Sequence, residues 1–411
     1  MRRRDVLQAV ASVAALPLGG CAMTPSSPRG DDDPYLWLED VDGERALAWV
    51  RQRNAHTAQV LGADPGFATL RHRIVEVLDS KAQIPHVVRR GDHLYNLWRD
   101  AEHPRGLWRR TTPGQYRRAE PRWDLLLDLD ALARDEGRNW VWGGATLLGP
   151  AYRRALLQLS RGGADAVVVR EFDLDRRDFV AAADGGFVLP EAKTVVAWAD
   201  ADTLWVGTDT GAGSTTASGY PRQIRRWRRG QPLADAAVVF EARADDVWAS
   251  VGVDRTPGFE RTWFARGIDF YRDETFVASA DGTPAKLDKP DDASVHFWRS
   301  HLLLELRSDW HAGGRTWRAG SLLVADAAAY LDGWREFTAL FTPAPTRALA
   351  GFATTRSRVI VEVLDDVATR IETWRPDAGG WRGGTLPTPA RGSASVAALH
   401  DPLCADDALA E

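Results

Sequence analysis

Four short runs follow one another in the middle of the chain: TVVAWAD (Thr194–Asp200), TLWVGTD (Thr203–Asp209), RQIRRWRRG (Arg222–Gly230) and AVVFEAR (Ala237–Arg243). Each is rich in β-branched and aromatic residues, and each is bounded by Asp, Gly or Pro, the pattern of short strands joined by turns. Comparable groups flank it. HVVRRG, HLYNLWRD, GLWRRT and LLLDLDAL come first, beginning at His86, and then WVWGGATLL, RALLQLS, AVVVREFDL and FVLPEA. After the central group come DVWASVGV, TWFARGIDF and ETFVASADG, then SVHFWRS, LLLELRS, AGSLLVADA and REFTALF, then TRALAGFATT, RVIVEVLD, RIETWRP and GWRGGTLPTP. Each group spans roughly 45–55 residues and holds four strands or nearly so, which is the period of a β-propeller. A sandwich or barrel with coincidental spacing is the alternative. A further group, SVAALHDPLCADDALAE from Ser395, starts and stops, so the sequence predicts a chain that ends inside its last blade.

Composition agrees with a folded, mainly β protein. Of 411 residues, 44% are hydrophobic and 27% charged, which excludes a wholly disordered chain. The net charge of −5 gives no electrostatic case for nucleic acid. With Cys21 and Cys404 as the only cysteines, a disulfide scaffold and a Cys-rich metal site are both excluded. The 18 tryptophans suit many small sheets that share bulky apolar anchors.

Residues 1–20 read as a signal peptide. Arg2, Arg3 and Arg4 form a positive n-region, and Val6–Leu18 is a mostly apolar stretch too short to span a bilayer. The arginines followed by Asp5, Val6 and Leu7 resemble a twin-arginine export signal. Leu18-Gly19-Gly20-Cys21 resembles a bacterial lipoprotein box, in which the Cys21 thiol accepts diacylglycerol. Residues 21–33 are a polar tether. The expectation is an exported periplasmic or cell-envelope lipoprotein that meets the membrane only through its lipid anchor. Over residues 34–78 the period is helical: Ala46, Leu47, Trp49, Val50 and Ala58, then Phe67, Leu70, Ile74, Val77 and Leu78. Two or three helices are expected there. So short a segment has little core of its own, so its apolar faces should pack on something else.

DPYLWLED followed by ALAWVRQRN resembles the opening of the prolyl oligopeptidase family of serine peptidases. So do HPRGLWRR (His103–Arg110), LLDLDALARDEGRNWVW (Leu126–Trp142), LLQLSRGGADAVVVREFDL (Leu156–Leu174), GGFVLPEAKTVVAWAD (Gly185–Asp200) and SGYPRQIRRWRRG (Ser218–Gly230). The resemblance runs from about Asp33 to the end. It implies a seven-bladed propeller capping an α/β-hydrolase domain, here about six blades over residues 79–411 plus an incomplete seventh. It also implies that the helices before the propeller belong to the hydrolase domain, and that the propeller tunnel admits short peptides and spares folded proteins.

In that family the catalytic residues lie after the propeller, with the nucleophile in a G-x-S-x-G elbow. No serine here has glycine two residues away on both sides. Ser214, in GAGSTTASGY, has Ala212 and Thr216 at those places. No catalytic residue is carried over. No cofactor is expected, because no G-x-G-x-x-G or P-loop occurs. No metal is expected either, since His86, His93, His103 and Glu102 lack ligand spacing and Asp31-Asp32-Asp33 reads as a solvated tether. Asp245-Asp246 and Asp291-Asp292 read as turn carboxylates rather than a glycosidase pair. Arg225–Arg229 reads as a solvated strand and turn rather than a nucleic-acid patch. Two functions follow. One is the substrate-gating propeller of an exported peptidase, shortened by a frameshift, stop or gene split, inactive alone and completed by a hydrolase domain in trans. The other is a non-catalytic, lipid-anchored propeller that binds a peptide or partner through its tunnel.

Overall fold

A computed structural model describes residues 33–40, 43–279, 282–388, 392–398 and 408–410. Arg2, Arg3, Arg4, Cys21 and Cys404 lie outside the described residues. The chain divides into two compact units, Met1–Leu78 and Asp79–Glu411.

The first unit holds a 3-10 turn at Leu36–Glu39 and the helices α1 (Glu44–Gly62) and α2 (Phe67–Leu78). Glu44 in the first turn of α1 suits the positive end of the helix dipole. Trp37 and Trp49 meet edge to face at 6.4 Å, and the Arg45 guanidinium lies 4.1 Å over Trp37. Among the described residues of the unit, Ala46 is the one buried side chain. Phe67, Leu70, Ile74 and Val77 form one stripe along α2, and all four are exposed, Val77 at 71%.

The second unit is a succession of antiparallel meanders, four-stranded except for one of five strands. The first sheet is β1 (Val88–Arg90), β2 (His93–Trp98), β3 (Leu107–Thr111) and β4 (Asp124–Asp128), with short helices α3 (Pro113–Tyr116) and α4 (Leu129–Glu136) beside it. The second is β5 (Trp140–Leu147), β6 (Arg154–Arg161) and β7 (Val167–Asp173). Its outer edge is shared by β8 (Asp178–Phe179) and β9 (Val188–Ala192). The third is β10 (Val195–Asp200), β11 (Thr203–Gly207), β12 (Gln223–Arg228) and β13 (Ala237–Glu241). The fourth is β14 (Trp248–Asp254), β15 (Arg261–Gly267), β16 (Asp273–Ala278) and β17 (Pro284–Lys286). The fifth contains β18 (Ser294–Trp298) and β19 (His301–Glu305). A separate hairpin of β20 (Trp310–Ala312) and β21 (Arg315–Trp317) interrupts it before β22 (Leu322–Asp326), α5 (Ala327–Leu331) and β23 (Thr338–Phe341). The sixth is β24 (Arg347–Thr354), β25 (Val359–Asp365), β26 (Ala368–Asp377) and β27 (Gly380–Leu386). Last, β28 (Val396–Ala398) pairs with β29 (Ala408–Ala410).

The core lies between the sheets rather than within them. Trp108, Leu157 and Phe172 join the first sheet to the second, and Leu156, Phe187, Trp198 and Trp227 the second to the third. Ile224, Phe240 and Phe264 join the third to the fourth, and Val277, Leu287, Leu302 and Leu323 the fourth to the fifth. Leu303, Val324, Val359 and Val361 join the fifth to the sixth. Alternation supplies both faces: consecutive strand residues point opposite ways, so Leu302 and Leu304 serve one interface and Leu303 the other. Face-to-face stacking of successive small sheets through apolar seams is the construction of a propeller.

Three details depart from the sequence expectation. The run LLLDLDAL does not stay extended. Asp128 caps the amide of Ala131 at 2.9 Å and Gly137 ends α4 in the left-handed region, so cap signals prevail over the apolar run. The last strand of the fourth sheet, Pro284–Lys286, has no β-branched or aromatic residue to announce it. The β20–β21 hairpin turns on Gly313 and Gly314, both at positive φ.

Candidate functional site

The serines with catalytic potential are accounted for locally. Ser214 is buried, and its Oγ donates toward Gly211 O at 2.6 Å and Asp209 Oδ1 at 3.1 Å and accepts from the Thr210 amide at 2.9 Å. It organises the loop between β11 and β12. Ser300 Oγ lies 3.4 Å from His301 Nδ1, a contact between chain neighbours. Burial lowers the His301 pKa, and nearby Asp326 only partly offsets this. The Asp326 carboxylate accepts from the Ala329 amide at 2.9 Å, capping α5. A triad needs the imidazole held between a nucleophile and an orienting acid, and although Asp326 lies opposite His301 across the β19–β22 pair, no side-chain hydrogen bond joins them among the described residues.

The other sequence candidates do not converge. His93 faces the Tyr95 ring at 6.3 Å, whereas Glu102 pairs with Lys81 at 2.9 Å. His103 Nδ1 meets Asp100 Oδ1 at 3.2 Å. Burial pushes the Asp100 carboxyl up, but hydrogen bonds from Trp98 Nε1, the His103 amide and ring and the Glu102 amide outweigh it, leaving the pKa at about 2. Among the described residues no group of three or more His, Cys, Asp or Glu is placed to hold a metal ion. Asp246 is buried, with both carboxylate oxygens accepting from Arg266 Nη1 at 2.7 and 2.8 Å, while Asp292 accepts from Ser308 at 3.1 Å. The basic run of β12 alternates: Ile224 and Trp227 are buried and Arg226 and Arg228 exposed, while Arg225 Nη1 donates to Ala236 O at 2.9 Å.

A different cluster is assembled where the fifth and sixth sheets meet. The β18–β19 turn presents Arg299 and Ser300, the β24–β25 turn Arg356, Ser357 and Arg358, and the end of β26 Arg375 and Pro376. With Trp298 and His301 they line a cavity of about 640 Å³. Trp298 Nε1 donates to Thr355 O at 2.7 Å, fixing the two turns against one another. Trp298 and Trp381 flank the His301 ring at 5.5 and 5.0 Å. Arg299 occupies the left-handed region at φ 55°, and its guanidinium lies 4.9 Å over Phe259. None of the four arginines is ion-paired with a carboxylate among the described residues.

A second cavity, of about 710 Å³, opens between the third and fourth sheets and includes Arg226, Arg255 and Arg261. Arg261 Nη2 donates to Arg299 O at 2.7 Å, linking the β14–β15 turn to the β18–β19 turn. Arg255 donates to Trp198 O. Burial lowers the pKa of both Arg255 and Arg261. In a meander the turns after the first and third strands lie at one end, opposite the end where the chain enters. Both cavities therefore open at the turn end of their sheets. Sequence reasoning missed this arginine-rich rim. The available signal was an Arg-Ser pair at two equivalent first turns, Arg299-Ser300 and Arg356-Ser357.

Three comparisons place the chain. A family model described as the prolyl oligopeptidase N-terminal beta-propeller domain matches residues 26–258, more than half of the chain. An uncharacterized peptidase of Sinorhizobium fredii, y4nA, is 33% identical over 380 residues, covering 90% of this chain and 52% of its own length. An uncharacterized peptidase of Rickettsia prowazekii, RP174, is 27% identical over 360 residues, covering 84% and 50%. The chain thus spans about half the length of the curated relatives it matches. Among solved structures, a post-proline cleaving enzyme from Rickettsia typhi superposes with a TM-score of 0.81 at 26% identity, over 88% of this chain and 54% of the other. The stacked meanders, the family match and this superposition agree, and the chain belongs to the prolyl oligopeptidase family, whose N-terminal β-propeller domain it contains.

Proposed function

We propose that this chain is the substrate-gating half of a prolyl-oligopeptidase-like serine peptidase acting on short peptides, and that hydrolysis requires an α/β-hydrolase domain not contained in these 411 residues. The observation that carries this is the family match over residues 26–258 in a chain with no G-x-S-x-G elbow. The absence of an assembled serine, imidazole and acid around Ser214 and Ser300 supports it. The propeller architecture supports the gating reading. In a propeller the first strands line a central passage, and on this reading such a passage would admit extended peptides and exclude folded chains. The exposed apolar stripe of α2 supports pairing with a hydrolase domain, supplied by the same polypeptide or in trans, because such a stripe is stable only when covered.

The same proposal places the protein in the cell envelope, exported through Arg2, Arg3 and Arg4 and anchored through Cys21. Purified chain should hydrolyse no proline-containing chromogenic peptide and react with no fluorophosphonate probe. Addition of a family hydrolase domain should produce turnover. Turnover by the chain alone, with a labelled serine mapped within it, overturns the assignment. Palmitate labelling that is lost in Cys21→Ser checks the anchor separately.

A further inference from the structure

We propose that the cavity between the fifth and sixth sheets is a binding site for a ligand carrying two or more separated oxyanionic groups, carboxylate or phosphate. Its lining contains Arg299, Arg356, Arg358 and Arg375 and no Asp or Glu. An arginine stays protonated at any physiological pH, and its planar fork donates to an oxyanion in bidentate fashion. Arg356, Arg358 and Arg375 are exposed and Arg299 stacks on Phe259, and with no carboxylate partner for any of them among the described residues the positive charge stays uncompensated until an anion enters. The protein as a whole carries −5, so the field that draws an anion here is local to these turns.

The cations come from three separate backbone segments around a volume of about 640 Å³. That is the size of an organic ligand's pocket rather than a single-ion cradle. Cations drawn from three segments match separated anionic groups better than one compact ion. The wall is pre-organised: Trp298 ties the two turns together, and Arg299 is held at φ 55°. A left-handed non-glycine residue costs free energy that the surrounding structure must maintain, and such residues concentrate at ligand sites. The second cavity does not share this character, because Asp254 and Glu260 in its lining supply counter-charge. The assignment does not depend on hydrolysis, so it stands or falls separately from the peptidase proposal.

The test uses the full chain and two probes: fluorescein-labelled triglutamate followed by anisotropy, and sodium tripolyphosphate followed by calorimetry. Saturable binding of either probe is expected, weakening as salt rises from about 50 to about 200 mM. Binding of triglutamate alone identifies carboxylates as the ligand chemistry, of tripolyphosphate alone phosphates, and of both a general oxyanion site. Arg356→Gln/Arg358→Gln should weaken binding by about tenfold or more, the size expected for two lost charge-assisted contacts. Arg375→Gln, on a different strand, should weaken it independently. Arg226→Gln/Arg228→Gln removes the same charge from β12 and should leave affinity unchanged. The proposal is overturned if neither probe binds, if the pocket variants bind as the parent does, or if the β12 variant loses as much. All these arginines are partly or fully exposed, so unchanged thermal unfolding shows that each variant is folded.

Discussion

Arg229, in the turn just after β12 of the third sheet, closes its guanidinium on Glu171 of β7 in the second, with Nη1–Oε2 at 2.7 Å and Nη2–Oε1 at 3.2 Å. Glu171 has no exposed surface. Its remaining acceptor capacity is filled by Arg154 Nη1 at 3.0 Å and the Phe187 amide at 2.9 Å. Arg229 also donates to Gly185 O at 2.7 Å. Two sheets that share an apolar seam are thus also locked in register by one fully satisfied charge. Arg229→Ala leaves Glu171 half-compensated, and unfolding free energy should fall by about 3–5 kcal/mol. The double variant Arg229→Ala/Glu171→Leu should recover much of that loss, because the uncompensated carboxylate is gone. Urea denaturation followed by tryptophan fluorescence measures both, and a single-variant loss below about 1 kcal/mol would show that the pair contributes little.

A second interface rests on two missing side chains. Gly252 of β14 faces Trp263 of β15, and a Cβ at Gly252 would meet the indole at 2.2 Å. Gly267 and Trp248 repeat the arrangement on the same strand pair, at 2.3 Å. Trp263 in turn packs on Phe297 at 5.4 Å, in the seam with the fifth sheet. Gly252→Ala should displace the indole and cost about 1–3 kcal/mol, as overpacking does. The near-UV circular dichroism should change with it. A fully native spectrum and midpoint would mean the ring has room to move.

Most of the fold was legible because its signal is local. Six runs of alternating strands, punctuated by Gly, Asp and Pro, correspond to five four-stranded sheets and one five-stranded sheet. What was not legible is where local pattern and tertiary partner part ways. Pro284–Lys286 is a strand only because β16 pairs with it, and Leu129–Glu136 is a helix because Asp128 and Gly137 cap it. Glu171 sits between the apolar Val167–Val169 and Phe172 in VVVREFDL, which hints at burial but cannot name Arg229, 58 residues away, as its partner. The arginine cavity was hidden for the same reason. Arg299, Arg356 and Arg375 sit on three separate elements and come together only when the fifth and sixth sheets stack.

Asp100 makes the loop between β2 and β3 sensitive to acid. Its carboxylate accepts from Trp98 Nε1 at 2.9 Å and from the amides of Glu102 at 3.0 Å and His103 at 2.9 Å. These bonds hold its pKa at about 2 against the usual 3.8. A depressed folded-state pKa contributes stability that is complete above the unfolded value and is lost as pH falls through the folded one. The window is therefore between about pH 4 and pH 2. With solvent screening at a loop, the contribution is about 1–2 kcal/mol. Asp100→Asn should lower stability at neutral pH and flatten its fall over that window. Parallel acid titrations of urea midpoints would count against this if the two curves kept a constant separation.

The α2 stripe separates folding from association. Leu70 and Ile74 are 59% and 50% exposed, so Leu70→Glu/Ile74→Glu removes little buried surface from this chain. Thermal stability of the chain alone should stay within about 0.5 kcal/mol, as for surface changes generally. If a hydrolase domain covers the stripe, the same double variant places two carboxylates in an apolar interface, where each carries a large desolvation penalty. Association with an added family hydrolase domain should then weaken by at least tenfold, a factor equal to about 1.4 kcal/mol. Turnover restored in trans should fall in proportion at subsaturating domain concentration and recover as the domain is raised. A variant that binds and restores turnover like the parent would place the hydrolase contact elsewhere and leave the stripe to another partner.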